Sequence, residues 1–186
     1  MIFRRFRRDP QSTIAALYGA IVAQARRPVF YLAYEVPDTA EGRLDMVLLH
    51  LALVCRRLGA GGPEAQALSQ DVFDMFCSDM DGNLREMGVS DLAVPRKMQK
   101  MGEAFYGRLD AYDRALAAPD DAALAAALAR NVLDGVAAGE PARRLAHYVR
   151  GAAAALDATP LGTLAAGQVR FPDPDAIASP AREVQR

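Results

Sequence analysis

The segment from Gly42 to Leu58 restricts the possible folds most strongly, because apolar residues cover nearly every side of the helix that it predicts. One apolar stripe recurs at helical spacing, and further apolar residues occupy much of the opposite side. The residues of the stripe and of the opposite side are Leu44, Val47, Leu48, Leu51, Cys55 and Leu58, with Met46, Leu49 and Leu53. Such a helix is stable only when other elements surround it. The apolar run within it is far shorter than the roughly 20 residues that span a bilayer. We therefore expect the central helix of a bundle.

Helix-starting and helix-ending residues divide the rest of the chain, and strand patterns are almost absent. Proline near the first helical position and glycine after the last one mark most of the boundaries. The other segments expected to be helical are residues 10–26, 63–87, 95–116, 120–136 and 142–156, with short pieces at 29–34 and after 160. We predict an all-α fold with one globular domain of about seven helices at residues 10–170, a basic arm at 1–9 and a loose tail at 171–186.

The overall charge and the cysteines restrict the class of protein. The net charge is −1, so no overall field favours nucleic acid. Cys55 and Cys77 lie in helical apolar patterns without a C-x-x-C motif, which predicts reduced thiols in a cytosolic chain. No apolar signal-peptide core follows the first residue, because arginines interrupt it. We expect a protein of the bacterial cytoplasm.

The first eight residues interleave apolar side chains with Arg4, Arg5, Arg7 and Arg8 and contain no acid. Arginines attract anionic lipid headgroups or RNA phosphates, and the apolar residues can enter a membrane interface. A solvated, frayed terminus is an equally good interpretation, because so short an arm binds weakly by itself. The arm is therefore a candidate contact with a membrane or a ribosome.

The predicted helix at residues 63–87 carries acids on its apolar stripe. At 100° per residue, Asp79, Asn83 and Glu86 continue the face of the apolar residues before them. Because an unpaired buried charge is costly, we expect a structural polar network. Its candidate members are Arg43, His50, Arg57, Asp79, Arg85 and Glu86. A catalytic carboxylate pair is the alternative, but neither a nucleophile nor a set of metal ligands accompanies the acids.

The sequence contains no complete metal or cofactor motif. Asp79, Asp81 and Asn83 are spaced like the first ligands of a calcium loop, but Leu84 and Ser90 occupy positions that need glycine and glutamate. The two histidines, at 50 and 147, are far apart in sequence, and no glycine-rich nucleotide-binding motif occurs. We therefore predict no metal, no cofactor and no catalytic residue.

A binding surface is predicted around the hinge from Gly88 to Pro95 and the helix that follows it. Methionine and aromatic residues form one stripe on that helix, and such side chains adapt to irregular apolar partners. Because a stripe of this kind is more often core, we expect only its edge to be exposed. Together with the aromatic segment at 29–36, this edge would form an apolar groove for a client protein. The candidate residues are Tyr31, Tyr34, Val36, Met98, Met101, Phe105 and Tyr106.

Several spaced elements between residues 28 and 150 resemble the ubiquinol–cytochrome c chaperone family. They are YEVPDTAEGRLDMVLLH, the following RRL, QDVFDMFCSDMDGNLREMGVSDLAVPRKMQKM and GEAFYGRLDAY. The resemblance implies a non-enzymatic, all-helical chaperone that binds newly synthesised cytochrome b during assembly of respiratory complex III. It also implies contact with a small partner subunit and with the ribosome exit, as in mitochondrial members.

The family motif, carried over onto this chain, is a signature of folding and binding rather than of catalysis. It covers Asp38, Thr39, Gly42, Arg43, Asp45, His50, Asp79, Asp81, Leu84, Arg85, Glu86, Gly88, Asp91, Leu92, Pro95, Met98, Met101, Phe105, Gly107, Arg108 and Tyr112. Without the long leader of mitochondrial members, the chain resembles a bacterial relative, expected at the inner face of the cytoplasmic membrane. Two alternatives stay open: a general membrane-surface interaction module, and a haem carrier or enzyme that uses the acids, His50 or His147.

Overall fold

The computed structural model describes residues 9–135 and 139–178, and these contain nine α-helices and no β-strand. The six long helices are α1 (Pro10–Ala25), α3 (Ala40–Gly59), α4 (Pro63–Glu86), α5 (Val94–Leu116), α6 (Ala122–Val132) and α7 (Glu140–Ala158). The three short ones are α2 (Val29–Leu32), α8 (Leu161–Leu164) and α9 (Pro174–Ala178). The prediction of an all-α fold is confirmed.

The central helix is α3, as its apolar sequence predicts. Every residue from Met46 to Cys55 is buried, and α1, α4, α5, α6 and α7 all pack against this helix. The helix begins where Thr39 Oγ1 accepts a hydrogen bond from the Gly42 backbone N–H at 3.0 Å, which satisfies a free donor of the first turn. A Cβ at Gly42 would lie under 3.0 Å from the Pro37 carbonyl oxygen. Glycine is therefore required for this entry into the helix.

The hairpin of α4 and α5 extends beyond the core. The buried residues of α4 are confined to 72–76. Val94 is the only buried residue between 77 and 104, a stretch that the structure describes throughout. Because a helix that leaves the core has no partner for an apolar face, this half of the hairpin is mostly polar. The hairpin therefore presents its turn, residues 87–93, largely to solvent.

The turn between α4 and α5 has a defined geometry. Gly88 adopts the left-handed conformation, with φ of 81°. Its N–H donates to the Arg85 carbonyl at 2.9 Å, and the Val89 N–H donates to the Leu84 carbonyl at 3.0 Å. These two bonds form a Schellman motif, which satisfies carbonyls at the end of a helix. The predicted role of Gly88 as the helix stop is confirmed.

Residues 171–178 pack onto the bundle, although the sequence predicts a loose tail from residue 171. The Gln24 side-chain amide donates to the Pro172 carbonyl at 3.2 Å, and the Tyr34 hydroxyl donates to the Pro174 carbonyl at 2.9 Å. The Phe171 ring lies edge-on to His50, with centroids 5.1 Å apart. Residues 179–186 of the predicted tail and residues 1–8 of the predicted arm lie outside the described residues.

Candidate functional site

A cleft opens where the C-terminal half of α3 meets α4 and α5, and we call it the α3–α5 cleft. It has two adjoining compartments with volumes of about 280 and 500 Å³. Both compartments are lined by Cys55, Gly59, Tyr106 and Leu109. The smaller one reaches the aromatic residues between α4 and α5, and the larger one opens towards the polar end of α5.

The floor of the α3–α5 cleft is aromatic. The rings of Phe73 and Phe105 stack with centroids 4.6 Å apart and planes inclined by 29°. Tyr106 lies 5.4 Å from Phe73, but it remains 52% exposed while Phe105 is 1% exposed. Successive residues of α5 therefore point in different directions, since Phe105 enters the core and Tyr106 faces the cleft. An exposed ring with a polar tip suits contact with an apolar partner in a wet interface.

Polar side chains border the cleft and are already paired. Arg56 Nε donates to Asp113 at 2.9 Å, and Arg56 Nη1 donates to Asp157 at 2.9 Å. Gln66 donates to the Gly59 and Gly61 carbonyls. An apolar floor with a polar rim is the usual anatomy of a protein-binding surface. A partner that enters the cleft would not need to neutralise an unpaired charge of Arg56.

The cleft contains no group prepared for nucleophilic chemistry. Burial raises the pKa of the Cys55 thiol to about 11, so the thiol stays protonated at neutral pH. Burial also raises the pKa of Cys77, and both cysteines are free thiols. Within residues 9–135 and 139–178, no group of three or more His, Cys, Asp or Glu side chains is arranged to hold a metal ion.

The predicted client-binding residues are divided between core and surface. The structure contradicts the prediction for Tyr34, Val36 and Phe105, which are at most 2% exposed and belong to the core. Their apolar character serves packing, and the Tyr34 hydroxyl is satisfied by the C-terminal segment. Met98 and Met101 are partly exposed on α5. Of the predicted set, Tyr106 is the member that is large and mostly exposed.

In place of the predicted single groove, α5 and segment 29–36 line separate depressions. Half-buried Tyr31 lines a separate depression of about 260 Å³ beside Arg26, Leu32 and Arg43. Neither this depression nor the α3–α5 cleft contains residues of both segments. The reason is that α2 packs against α9, whereas α5 packs against α3, α4 and α6. The apolar groove wall next to Tyr106 comes from α4 instead.

The predicted polar network also does not form, because its members have separate partners. Asp79 accepts a hydrogen bond from the Tyr18 hydroxyl at 2.7 Å, and Glu86 is exposed. The acids occupy the half of α4 that has left the core, so the apolar face that they continue in sequence is not buried there. The carboxylates therefore do not need the basic partners that the sequence interpretation gave them.

The basic members of the predicted network have local roles. Arg43 pairs with Asp38 at 2.7 Å. Arg57 donates to the Leu156 and Thr159 carbonyls at the end of α7, where a cation is favoured. Arg85 pairs with Asp81 at 2.6 Å and also with Asp91. Each arginine fixes a helix end or a turn rather than a shared site.

His50 is fully buried in a neutral hydrogen-bonded chain. Its Nδ1 lies 2.8 Å from the Met46 carbonyl, which can only accept, so Nδ1 carries the proton. Its Nε2 then accepts from the Tyr148 hydroxyl at 2.8 Å, and that hydroxyl accepts from the Gln24 amide at 2.9 Å. Burial lowers the pKa of His50 to about 4. With both nitrogens occupied and no solvent access, His50 holds the fold and is not a ligand for haem.

The sequence interpretation missed a pairing across the core. Asp45 of α3 and Arg108 of α5 form an ion pair with Oδ1 and Nη1 2.6 Å apart. The available signal was an acid directly before the apolar run of α3 that begins at Met46, together with an arginine three residues after Phe105 on α5. The hydroxyl of Tyr112 lies buried one turn further along α5, and burial raises its pKa to about 12.

Comparison with known proteins assigns this helical chain to a family. The family model described as Ubiquinol-cytochrome C chaperone matches residues 32–171. The chain belongs to the ubiquinol–cytochrome c chaperone family. The matched range contains the α3–α5 cleft, the Asp45–Arg108 pair, and His50 with Tyr148, whereas Gln24 of the His50 chain lies before it. Membership supports a chaperone role in assembly of complex III.

A solved relative agrees with this family assignment. The chain is similar to the crystal structure of the Cbp3 homolog from Brucella abortus, with 39% sequence identity and a TM-score of 0.83. The match covers 93% of this chain and 96% of that chain. A search among curated proteins finds no match. In the part of this family member that the structure describes, no helix is long and apolar enough to cross a bilayer.

Proposed function

We propose that this chain is a non-enzymatic assembly chaperone that binds newly synthesised cytochrome b during assembly of ubiquinol–cytochrome c reductase. Family membership supports the chaperone role. An unassembled membrane protein presents apolar surface, and the α3–α5 cleft offers an apolar floor bordered by paired polar side chains. The observation that carries the proposal is the 52% exposure of Tyr106 above the stacked Phe73 and Phe105 rings.

The cleft suits binding and release rather than chemistry. The Tyr106 ring supplies a large contact area and loses little rotamer freedom on binding. The floor is preformed by Phe73 and Phe105, so the protein does not have to reorganise before the client binds. Because the Cys55 thiol that lines the cleft stays protonated, it is not a ready nucleophile, and we propose no reaction with the client.

The location and the further partners follow from the same proposal. Arg4, Arg5, Arg7 and Arg8 would hold the chain at the anionic inner face of the bacterial cytoplasmic membrane, where a membrane-protein client emerges. The ribosome and a small partner subunit are the additional contacts that the family resemblance implies. Replacing the four arginines by glutamine should reduce co-sedimentation with anionic liposomes, and added salt should weaken the same binding.

The client proposal is tested by capture from cells that synthesise cytochrome b. Tagged full-length chain with Tyr106→Ser should recover at least about tenfold less cytochrome b than the unchanged chain, because interface aromatics often carry much of the binding energy. Leu32→Ser is the matched control, since Leu32 is 82% exposed and lies in the other depression. Both variants should keep the melting temperature of the unchanged chain.

Two outcomes would contradict the proposal. Equal recovery of cytochrome b by the Tyr106→Ser variant and the unchanged chain would remove the α3–α5 cleft as the binding site. Recovery of many unrelated membrane proteins in amounts equal to cytochrome b would favour a general membrane-surface interaction module instead.

A further inference from the structure

The tip of the α4–α5 hairpin exposes two large apolar side chains. Met87 is 76% exposed and Leu92 is 94% exposed. They are two of the four large apolar side chains that stand exposed in the described part of the chain, and they lie on either side of the Gly88 turn. An isolated exposed apolar residue is ordinary, but two at one projecting turn form a local apolar tip.

Unpaired basic side chains stand directly beside this apolar tip. Arg96, Lys97 and Lys100 are exposed in the first two turns of α5, and none forms an ion pair with a described residue. Lys97 and Lys100 are the only lysines of the whole chain. Residues 81–104 contain four basic and four acidic residues, but Asp81 and Asp91 both pair with Arg85 and leave Arg96, Lys97 and Lys100 without an acidic partner. The start of α5 therefore carries three exposed positive charges that no described acid neutralises by an ion pair.

Helix stability does not explain these basic residues. The first turn of α5 contains no acid, and a cation at the start of a helix is opposed by the helix dipole. Arg96 and Lys100 are four residues apart on the same face, where like charges repel. The arrangement slightly weakens the helix that carries it, whereas an anionic partner would be attracted to it.

We propose that the hairpin tip docks on an anionic lipid surface, with Met87 and Leu92 entering the headgroup region and the basic side chains contacting lipid phosphates. Short apolar side chains at a turn together with adjacent lysines have the composition of an interfacial anchor. A protein partner is less well supported, because two side chains expose far less than the roughly 800 Å² per partner of a stable protein interface.

The hairpin geometry fits this contact. The Schellman turn at Gly88 and the buried Val94 hold the tip in one conformation, so docking requires little ordering. Tyr106 lies 12 residues after Val94 on the same helix, which is about 18 Å along the axis. If the α3–α5 cleft binds the client as proposed above, tip docking would hold that cleft a short distance from the membrane surface.

The chain contains no tryptophan, so a single introduced tryptophan reports on its own surroundings. The full-length Leu92→Trp variant should show a blue-shifted emission with vesicles of phosphatidylcholine containing 30% phosphatidylglycerol, and brominated lipids should quench it. Pure phosphatidylcholine vesicles should give a much smaller shift. Leu32→Trp, at the other strongly exposed apolar position, is the matched control and should show neither effect. Both variants carry the same N-terminal arm, so binding through the arm is common to them.

The basic residues are tested in the Leu92→Trp background. Lys97→Gln with Lys100→Gln should weaken vesicle partition about 25-fold, or about fivefold for each charge. Arg114→Gln with Arg143→Gln is the charge-matched control, because these exposed arginines already pair with acids. Circular dichroism should show unchanged helicity and melting temperature in every variant.

Three results would overturn the inference. The first is an absence of blue shift for Leu92→Trp with anionic vesicles, and the second is an equal shift for Leu32→Trp. The third is a shift that occurs only when cytochrome b or another protein is added, which would assign the tip to a protein partner. None of these results depends on whether Tyr106 binds a client, so failure of the tip proposal is distinguishable from failure of the proposed function.

Discussion

Arg108 of α5 holds Asp45 of α3 in an ion pair at 2.6 Å, with side chains only 17% and 19% exposed. Burial nevertheless raises the pKa of Asp45 above its usual value, although Arg108 acts in the opposite direction. Desolvation of the carboxylate is the largest cause, and the nearby Asp134 and Glu41 act in the same direction. The pair joins α5 to α3, and both side chains give up hydration to form it.

We expect removal of Arg108 alone to be more damaging than removal of both charges. Arg108→Met leaves a largely buried carboxylate without its cation and should lower the free energy of unfolding by about 3 kcal/mol at pH 7. Asp45→Leu combined with Arg108→Met should cost less, because neither charge then has to be desolvated. Urea denaturation of the single and double variants measures both values. A double variant less stable than Arg108→Met would contradict this prediction, because the unpaired Asp45 carboxylate would then carry no penalty.

Gly42→Ala should destabilise the fold, since the new Cβ would meet the Pro37 carbonyl at the start of α3. We expect a loss of at least about 2 kcal/mol, comparable to other overpacking changes. Gly82→Ala in α4 is the matched control, because a Cβ there meets nothing within 4 Å. It should stabilise the protein by up to about 1 kcal/mol through helix propensity. Equal melting temperatures for the two variants would contradict this explanation of Gly42.

Stability should fall on acidification because of His50. Its pKa is about 4 in the folded protein and 6.5 as an ordinary value. The unfolded chain therefore gains a proton that the folded protein does not accept. The stability that depends on neutral His50 is fully present above pH 6.5. It is lost as the pH falls towards 4, to a total of about 3 kcal/mol. Denaturation curves between pH 7.5 and about 4 measure this slope.

The control for this pH dependence is His50→Gln, which cannot titrate in that range. The variant will be less stable at pH 7, because it disturbs the hydrogen bond to Tyr148. Its stability should nevertheless depend less steeply on pH than that of the unchanged chain. Identical slopes for the two proteins would mean that other groups cause the acid sensitivity.

Truncation after residue 170 should weaken the bundle, whereas truncation after 178 should not. The shorter chain loses the Pro172 and Pro174 carbonyls that accept from Gln24 and Tyr34, and it loses the Phe171 ring beside His50. We expect a loss of about 3 kcal/mol from these contacts. The chain that ends at residue 178 retains all of these contacts and is the control. Similar melting temperatures for both truncations would restore the interpretation of residues 171–178 as a loose tail.

The sequence predicted the helices well because their signals are local. Apolar residues around the whole of α3 required surrounding helices, and Gly88 and Pro95 marked a turn by their own backbone preferences. The C-terminal segment was missed because the hydrogen bonds from Gln24 and Tyr34 go to its backbone carbonyls, which every residue possesses. Its proline-rich composition therefore gave no sign that Gln24 and Tyr34 would bind it.

The candidate site was predicted only in part, because a helix stripe does not say where the core ends. The stripe of α4 continues through Asp79 and Glu86 in sequence, but the packing on α3 stops near Phe76. The same limit applies to α5, where Phe105 is core and the adjacent Tyr106 is exposed. Which residue of such a pair faces solvent depends on how the neighbouring helix packs. A local sequence pattern does not contain that tertiary information.

The confinement of both lysines to the start of α5 has a consequence for chemical modification. Apart from the α-amino group, Lys97 and Lys100 are the only primary amines of the chain, and both are exposed. Acetylation of these two amines would remove two positive charges from the start of α5 and leave the arginines unchanged. Amine-reactive crosslinkers on side chains would likewise report only on partners that approach the end of the α4–α5 hairpin.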